Sequence, residues 1–271
     1  RGFMARLAPL QLNYLGYFAS TGLPTMDAWI GDSGLFPEPM LEWHCERIHR
    51  LPRCFIAWQP SQQLVEAHEP VTSAPSGDIR FGCFNHNRKL SDETLRLWGK
   101  ILECIPGATL VLKANAASDP STQTLLVRRM RRAGLDSDRV HWLPLAPSHR
   151  EHLHQYSQLD VALDCFPNGG CTTTCEALWM GVPVITLTGT HYVSRMSTAV
   201  LHGAGLQDWC VSTQEEYLQL ACQQADRLVE LRGNRGFWRD CVLNNPLGDA
   251  SGLMHHLEDA FSTLHAAVLS R

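Results

Sequence analysis

Hydrophobic positions along this chain form two patterns: short continuous apolar runs, and longer segments in which apolar residues recur every third or fourth position. From Ile79 onward the two alternate. Ile79–Asn85 (IRFGCFN) is an apolar run of strand length. Ser91 then stands as an N-cap before a helical stripe of Leu95, Trp98, Ile101, Leu102 and Ile105. Ala108–Ala114 (ATLVLKA) predicts the next strand. The helix after it carries Leu125, Leu126, Met130 and Ala133 on one face and stops near Gly134, a natural residue to follow a helix end. The strand Val140–Leu145 (VHWLPL), a short helix from about Ser148 and the run Asp160–Asp164 (DVALD) continue the alternation. Next come the strand Pro183–Gly189 (PVITLTG), a helix from about Ser194 and a short strand near Trp209. Thr213 and Glu216 form a capping box opening another helix. A final helix, roughly Ala250–Leu269, places Leu253, Leu257, Phe261, Leu264 and Val268 in one stripe, free to pack on this unit or to reach back to the one before it.

Short, fully apolar strands alternating with helices predict a parallel sheet covered on both faces, an α/β domain of the doubly wound, nucleotide-binding kind over residues 79–271. Residues 1–60 differ. Leu10–Tyr17 (LQLNYLGY), Asp27–Asp32 (DAWIGD) and Arg53–Trp58 (RCFIAW) have strand character, and Glu38–Leu51 (EPMLEWHCERIHRL) has the spacing of a helix. These are too few elements for a complete sheet domain, so 1–60 is expected to be the tail of a preceding one. Residues 61–78, polar with two prolines and no periodicity, are expected to be a linker.

Composition changes this picture little. With 44% hydrophobic and 18% charged residues and a net charge of −4, the chain gives no reason to expect nucleic acid or a membrane surface as partner. It has no apolar run long enough to span a membrane. Ten cysteines occur without a CxxC pair, which points to reduced thiols and a cytoplasmic location rather than a disulfide framework. Arg1 opens the chain without a signal-peptide layout, so it is expected to be a fragment.

The chemistry concentrates in Asn168–Ile185 (NGGCTTTCEALWMGVPVI), between an apolar strand and a helix. Three consecutive threonines are a poor helix start for stability alone. They do bring hydroxyls and unpaired backbone N–H groups to one spot, at the end of the sheet where ligands bind. Gly169 and Gly170 permit close backbone approach. Thr172 and Thr173 are candidate phosphate donors, and Glu176, one turn on, a candidate acceptor for ribose hydroxyls. A capped helix in an ordinary loop is the alternative. A second loop, Phe84–Lys89 (FNHNRK), offers Lys89 as a point charge for a diphosphate, with His86 or Arg88 assisting. In Leu145–His152 (LAPSHREH), His149, His152 and His154 do not match the spacing of a zinc site. One histidine is expected to face a base and two to be exposed. Asp136-Ser137-Asp138 matches a DxD motif but precedes a strand, at the wrong end for a ligand, and is expected to be a surface turn. The arginines of Val127–Gly134 are expected on a solvated helix side, and Lys113 closes its strand where it could face a ligand.

Phe166–Val184 (FPNGGCTTTCEALWMGVPV), Phe81–Leu102, Ala8–Asp27 and Tyr156–Asp164 together resemble the catalytic region of the O-linked N-acetylglucosaminyltransferases, closest to the bacterial SPINDLY-like branch. That resemblance implies a GT-B fold: a complete C-terminal Rossmann-like domain and the tail of an N-terminal one. It implies inverting, metal-independent transfer of N-acetylglucosamine from UDP-GlcNAc to serine or threonine hydroxyls of proteins, with no cofactor beyond the donor. Lys89 then matches a catalytic, diphosphate-binding lysine and His86 the polar residue three positions before it. Ala146 matches a backbone contact to uracil, and His152 the histidine beside that base. Cys171, Thr172 and Thr173 fall on the phosphate-binding segment, and Glu176 on the acidic residue at the ribose. Cys171 stands where threonine or histidine is usual, and Gly16–Ser20 (GYFAS) replaces a common GYPGT beside the sugar pocket. The family's protein acceptors are recruited by an upstream tetratricopeptide array. Another donor, GDP-fucose or UDP-glucose, and a nucleotide-sugar-binding module without catalysis are the alternatives.

Overall fold

The computed structural model describes residues 2–16, 18–40, 42–60, 77–113 and 119–270. Most of the expected linker, 61–76, lies outside them. The described residues form two parallel sheets.

The larger sheet contains β4 (Arg80–Cys83), β5 (Thr109–Lys113), β6 (Val140–Leu143), β7 (Val161–Leu163), β8 (Val184–Leu187) and β9 (Cys210–Val211), in the spatial order β6-β5-β4-β7-β8-β9. Every pairing is parallel. The order runs outward in both directions from the adjacent pair β4 and β7. Their connections leave on opposite sides, which opens a crevice at their carboxyl ends. The intervening helices are α1 (Asp92–Cys104), α2 (Pro120–Arg132), α3 (His149–His154), α4 (Thr172–Trp179), α5 (Met196–Gly203), α6 (Gln214–Asp226), α7 (Leu228–Gly233) and α8 (Arg235–Leu243). Their starts follow the sequence. Ser91 Oγ accepts from Thr94 N at α1, and Thr213 with Glu216 closes a capping box at α6. α2 buries Leu126 and Met130 but leaves Leu125 exposed, so its apolar face is narrower than expected. Its arginines 128, 131 and 132 are exposed as expected, and residues 137–139 form a short 3-10 turn ahead of β6.

The smaller sheet is β1 (Leu12–Asn13), β2 (Ala28–Asp32) and β3 (Arg47–Leu51). Here two expectations fail. The segment expected as a helix over Glu38–Leu51 ends instead in β3, which pairs with β2 in register from Ala28↔Arg47 to Asp32↔Leu51. Pairing with an already buried strand overrides the local helical spacing. Arg53–Trp58, expected as a strand, is a connection between the two sheets. Phe55 N donates to Asp32 Oδ2 at 2.7 Å and Trp58 N to Leu247 O at 2.7 Å, so its backbone bonds go to a turn and a distant loop instead of a ladder.

The final helix, α9 (Ala250–Leu269), takes the second of its two open placements. Leu253, Leu257, Ala260 and Leu264 pack on Ala28, Ile30 and Leu51 of the smaller sheet. Phe261 is turned partly outward, and Ala260 replaces it in the stripe. Arg53 ties the start of α9 down through Asp249 Oδ2 at 2.8 Å. Between the sheets, buried Tyr192 stacks on Trp29 with ring centroids 4.9 Å apart and meets Phe36 at 5.6 Å. Gly34 lies against Ala199 and Gly203 against Cys54, so closely that a Cβ on Gly34 would sit 2.9 Å from Ala199 Cα. These contacts merge the two units into a shared core.

Leu257→Ala should cost about 2–5 kcal/mol by removing the centre of the α9 stripe from the smaller sheet. Urea unfolding followed by tryptophan fluorescence checks this; an unchanged midpoint would show that the helix does not hold that sheet.

Candidate active site

At the crevice, β4 is followed by buried Asn85, and the chain turns through a short 3-10 segment, Asn87–Lys89. His86 caps this turn: its Nδ1 accepts from Arg88 N at 3.1 Å. The ring is exposed, with Nδ1 engaged in the turn that carries Lys89. Lys89 Nζ donates to Gly169 O at 2.6 Å, bridging the loops that follow β4 and β7.

The loop after β7 is organised by Asp164, only 2% exposed. Its Oδ1 accepts from Gly170 N at 2.9 Å, Cys165 N at 3.1 Å and Asn85 Nδ2 at 3.1 Å. Its Oδ2 accepts from Thr186 Oγ1 at 2.8 Å. Burial pushes the carboxyl pKa up, and the donors around it together with the Lys89 charge oppose that. Tyr217 OH donates to the Asp164 carbonyl at 2.9 Å, and Ser91 and Thr94 hydroxyls both reach Phe166 O. A loop of glycines thus acquires a fixed shape through side chains from four neighbouring segments.

That shape sets the start of α4. Cys171 precedes the helix without a side-chain cap, so the first-turn N–H groups of Thr172 and Thr173 have no hydrogen-bond partner among the described residues. They carry the positive end of the helix dipole. The three threonines divide their work. Thr172 is exposed; Thr173 Oγ1 donates to Asn85 Oδ1 at 3.0 Å; Thr174 is buried against Ser197 at 2.9 Å. The triplet therefore serves partly to fix its own loop. Burial, the larger influence, pushes the Cys171 thiol up to about 11 against the pull of Lys89, so this cysteine stays a neutral wall.

One turn further, Glu176 receives two histidines; as expected only His152 is turned inward, while His149 bonds from an exposed position. His149 Nε2 lies 2.9 Å from Oε1 and His152 Nε2 2.9 Å from Oε2. His154 is exposed. Tyr156 OH completes the set at 3.4 Å from Oε2. Behind His152, buried Lys113 contacts Nδ1 and lies over the Phe84 ring at 5.7 Å. With Lys113 protonated, Nδ1 accepts and Nε2–H is left to donate to Glu176, which fixes the tautomer of His152. Lys113 is thus a support for His152 rather than a group presented to a ligand. Burial lowers its pKa while Glu176 raises it. For Glu176 burial is the largest single influence and acts upward; hydrogen bonds from His152 and His149 overcome it and hold the carboxyl below its ordinary range.

Beside Thr172 a cleft of about 400 Å³ lies between the two units, with Tyr14, Phe18 and Trp58 on one wall and Cys171, Thr172 and Met196 on the other. Lys89, Cys171, Thr172 and Thr173 therefore converge on one spot, with Glu176 and His152 one helical turn away. Ala146 lies half-buried in the loop between β6 and α3, at the same end of the sheet, without a hydrogen bond to the others among the described residues. The residues missed from sequence are Asp164 and Asn85, which shape the site from below. Their signal was position: a carboxylate and an amide, each ending an apolar run at adjacent strands.

The sequence profile of glycosyl transferase family 41 matches residues 57–240. A protein of Petunia hybrida named "Probable UDP-N-acetylglucosamine--peptide N-acetylglucosaminyltransferase SPINDLY" is 33% identical over 267 residues, covering 97% of this chain and 28% of its own length. The Arabidopsis thaliana protein of the same name is 33% identical over 264 residues, covering 97% and 29%. The chain thus spans less than a third of these relatives. The solved structure of an O-GlcNAc transferase mutant from Thermobaculum terrenum superposes with a TM-score of 0.87 at 35% identity, over 98% of this chain and 50% of that one. The trehalose-6-phosphate synthase OtsA, at 14% identity and a TM-score of 0.53 over 89% of this chain and 60% of that one, shares the GT-B fold alone.

Because the folded Glu176 carboxyl titrates below its ordinary value of 4.5, its contribution to stability is complete above that pH and is lost as pH falls through the lower folded value. The difference in melting temperature between the wild type and Glu176→Gln should therefore be constant from pH 7 down to about 5 and shrink below it. A difference that does not change between neutral and acid pH would show that the two histidines do not stabilise the ionised form.

Proposed function

The chain belongs to glycosyl transferase family 41, and we propose that its crevice transfers N-acetylglucosamine from UDP-GlcNAc to serine or threonine hydroxyls of protein acceptors, with inversion and without a metal ion. One observation carries this reading most directly. Lys89 is fastened to Gly169 O, in the loop that leads into the unpartnered N–H groups of Thr172 and Thr173.

In such a transfer the acceptor hydroxyl gives up its proton to a base and its oxygen bonds to the anomeric carbon as the bond from that carbon to the β-phosphate oxygen breaks. Negative charge grows on the departing UDP. An ammonium has three protons to donate, and Lys89 spends one on Gly169, leaving two for a diphosphate. The first turn of α4 adds two N–H donors and its dipole. These donors are set before the reaction begins, so stabilising the leaving group needs little reorganisation. The full positive charge of Lys89 takes the part a divalent cation plays elsewhere.

Glu176 is positioned for the ribose. Both its oxygens are held by histidines, and His149 is exposed enough to yield its place to a ribose hydroxyl while buried Lys113 keeps His152 fixed. The cleft lined by Tyr14, Phe18 and Trp58 lies beyond Thr172, on the side of the smaller unit, where the sugar and acceptor meet. Its aromatic walls suit the apolar face and acetyl methyl of the donor sugar.

Lys89→Ala should lower turnover by roughly 10²–10³ while leaving the melting temperature close to that of the wild type. UDP release in the presence of UDP-GlcNAc and an acceptor protein measures it; near-normal turnover in the variant would overturn the assignment. Melting curves with UDP-GlcNAc, GDP-fucose and UDP-glucose test the donor, since only a bound nucleotide sugar raises the midpoint. A rise with UDP-GlcNAc and no UDP release from the full-length protein would instead favour a binding module.

A further inference from the structure

The loop between β1 and β2 carries Tyr14, Leu15, Gly16 and Phe18, which wall the cleft on the side of the smaller unit. Phe18 is 48% exposed and Leu15 57%, so burial fixes neither side chain. The backbone beneath them has to set where they stand.

That backbone is tied to the smaller sheet at two points. Asn13, buried on β1, donates from Nδ2 to Ala19 O at 3.1 Å. Glu46, immediately before β3 and only 2% exposed, holds the next two residues. Its Oε1 accepts from Thr21 N and from Thr21 Oγ1, each at 2.6 Å, and its Oε2 accepts from Ser20 Oγ at 2.6 Å. Cys45 Sγ adds a weaker contact to Oε2 at 3.5 Å. β3 is paired in register with β2 from Ala28↔Arg47 onward, so the carboxylate stands on a fixed support.

A buried carboxylate is usually matched by a cation. Among the described residues none lies in ion-pair contact with Glu46, and its close donors all come from this one loop. Burial acts upward on the carboxyl, and the bonds from Ser20 and Thr21 outweigh it and hold the pKa at about 2. The group is therefore ionised at neutral pH, and hydrogen bonds to an ionised oxygen are shorter and stronger than neutral ones. The loop is tied more firmly here than the amide of Asn13 alone would tie it.

From these features we infer that Glu46 is a positioning residue for the donor sugar: through Ser20 and Thr21 it sets where Phe18 stands across the cleft from Cys171 and Thr172. The inference rests on the reading of this cleft as the place of the sugar. Glu46 does not line the cleft and acts only through the loop. Lys89, the start of α4 and Glu176 belong to the larger unit and serve the diphosphate and ribose, whereas the loop meets what extends past Thr172. With the carboxylate in place the loop is ordered before the donor arrives. Without it, ordering the loop opposes binding of the sugar and leaves the nucleotide unaffected.

Titration calorimetry of the full-length protein with UDP and with UDP-GlcNAc tests this. In Glu46→Ala the Kd for UDP-GlcNAc should rise about tenfold while that for UDP stays within about twofold. A general loss of stability would not separate the two ligands. Glu46→Gln, which keeps one acceptor for Thr21, should recover part of the effect. If Glu46→Ala does not fold, Ser20→Ala removes one of the three bonds and should raise the same constant by a smaller factor. In a Phe18→Ala background Glu46→Ala should have little further effect on UDP-GlcNAc, because the ring that it places is gone. An effect that persists in full in that background overturns the inference. So does a wild type that binds both ligands when their ratio is unchanged in Glu46→Ala; the reading of the cleft then stands. A wild type that binds UDP but not UDP-GlcNAc overturns that reading and the inference with it.

Discussion

The buried carboxylate of Asp164 is the interaction on which the candidate active site rests. It sits at the carboxyl end of β7, where the sheet order turns back, and gathers Asn85, Cys165 N, Gly170 N and Thr186 onto its two oxygens. Without these bonds the segment Asn168–Cys171 would be a glycine-rich loop with many accessible shapes. With them it delivers Gly169 O to Lys89 and leaves the first N–H groups of α4 without a partner among the described residues. The cost of burying one charge is converted into the placement of several donors. A buried carboxylate can in this way decide where the backbone donors of a neighbouring helix end point.

A second polar set repeats the principle one turn along α4. Lys113, His152, Glu176 and His149 form a line in which each group fixes its neighbour. The inner end, Lys113, is buried and the outer end, His149, is exposed. A polar set fixed from its covered end and open to solvent at the other is shaped in advance at little entropic cost.

Much of the larger sheet was legible because its strands are short, apolar and punctuated by caps: Ser91, Gly134 and the Thr213–Glu216 box all stand at element ends. The smaller sheet was less so. β3 carries Arg47, His49 and Arg50, and only its pairing with β2 makes it a strand, information held in a partner about twenty residues away. The loop Phe84–Lys89 and the threonine triplet were visible as chemistry, and the structure brings both to one place. What the sequence could not show was which hydroxyls turn inward. Thr173 and Thr174 bond to Asn85 and Ser197, residues on other elements, and no local pattern encodes such a long-range choice. The same holds for His149, whose bond is to a carboxylate 27 positions along the chain.

The seam between the two sheets has a bearing on how such a protein can be altered. Gly34 and Ala199, Gly203 and Cys54, and Tyr192 between Trp29 and Phe36 fit as paired shapes with no spare volume. A chimera that takes the half bearing one substrate's specificity from a relative inherits only one side of each pair. Unless both faces are exchanged together, the mismatch falls beside Met196 and Tyr192, which also wall the cleft, and the borrowed specificity arrives with a misshapen pocket.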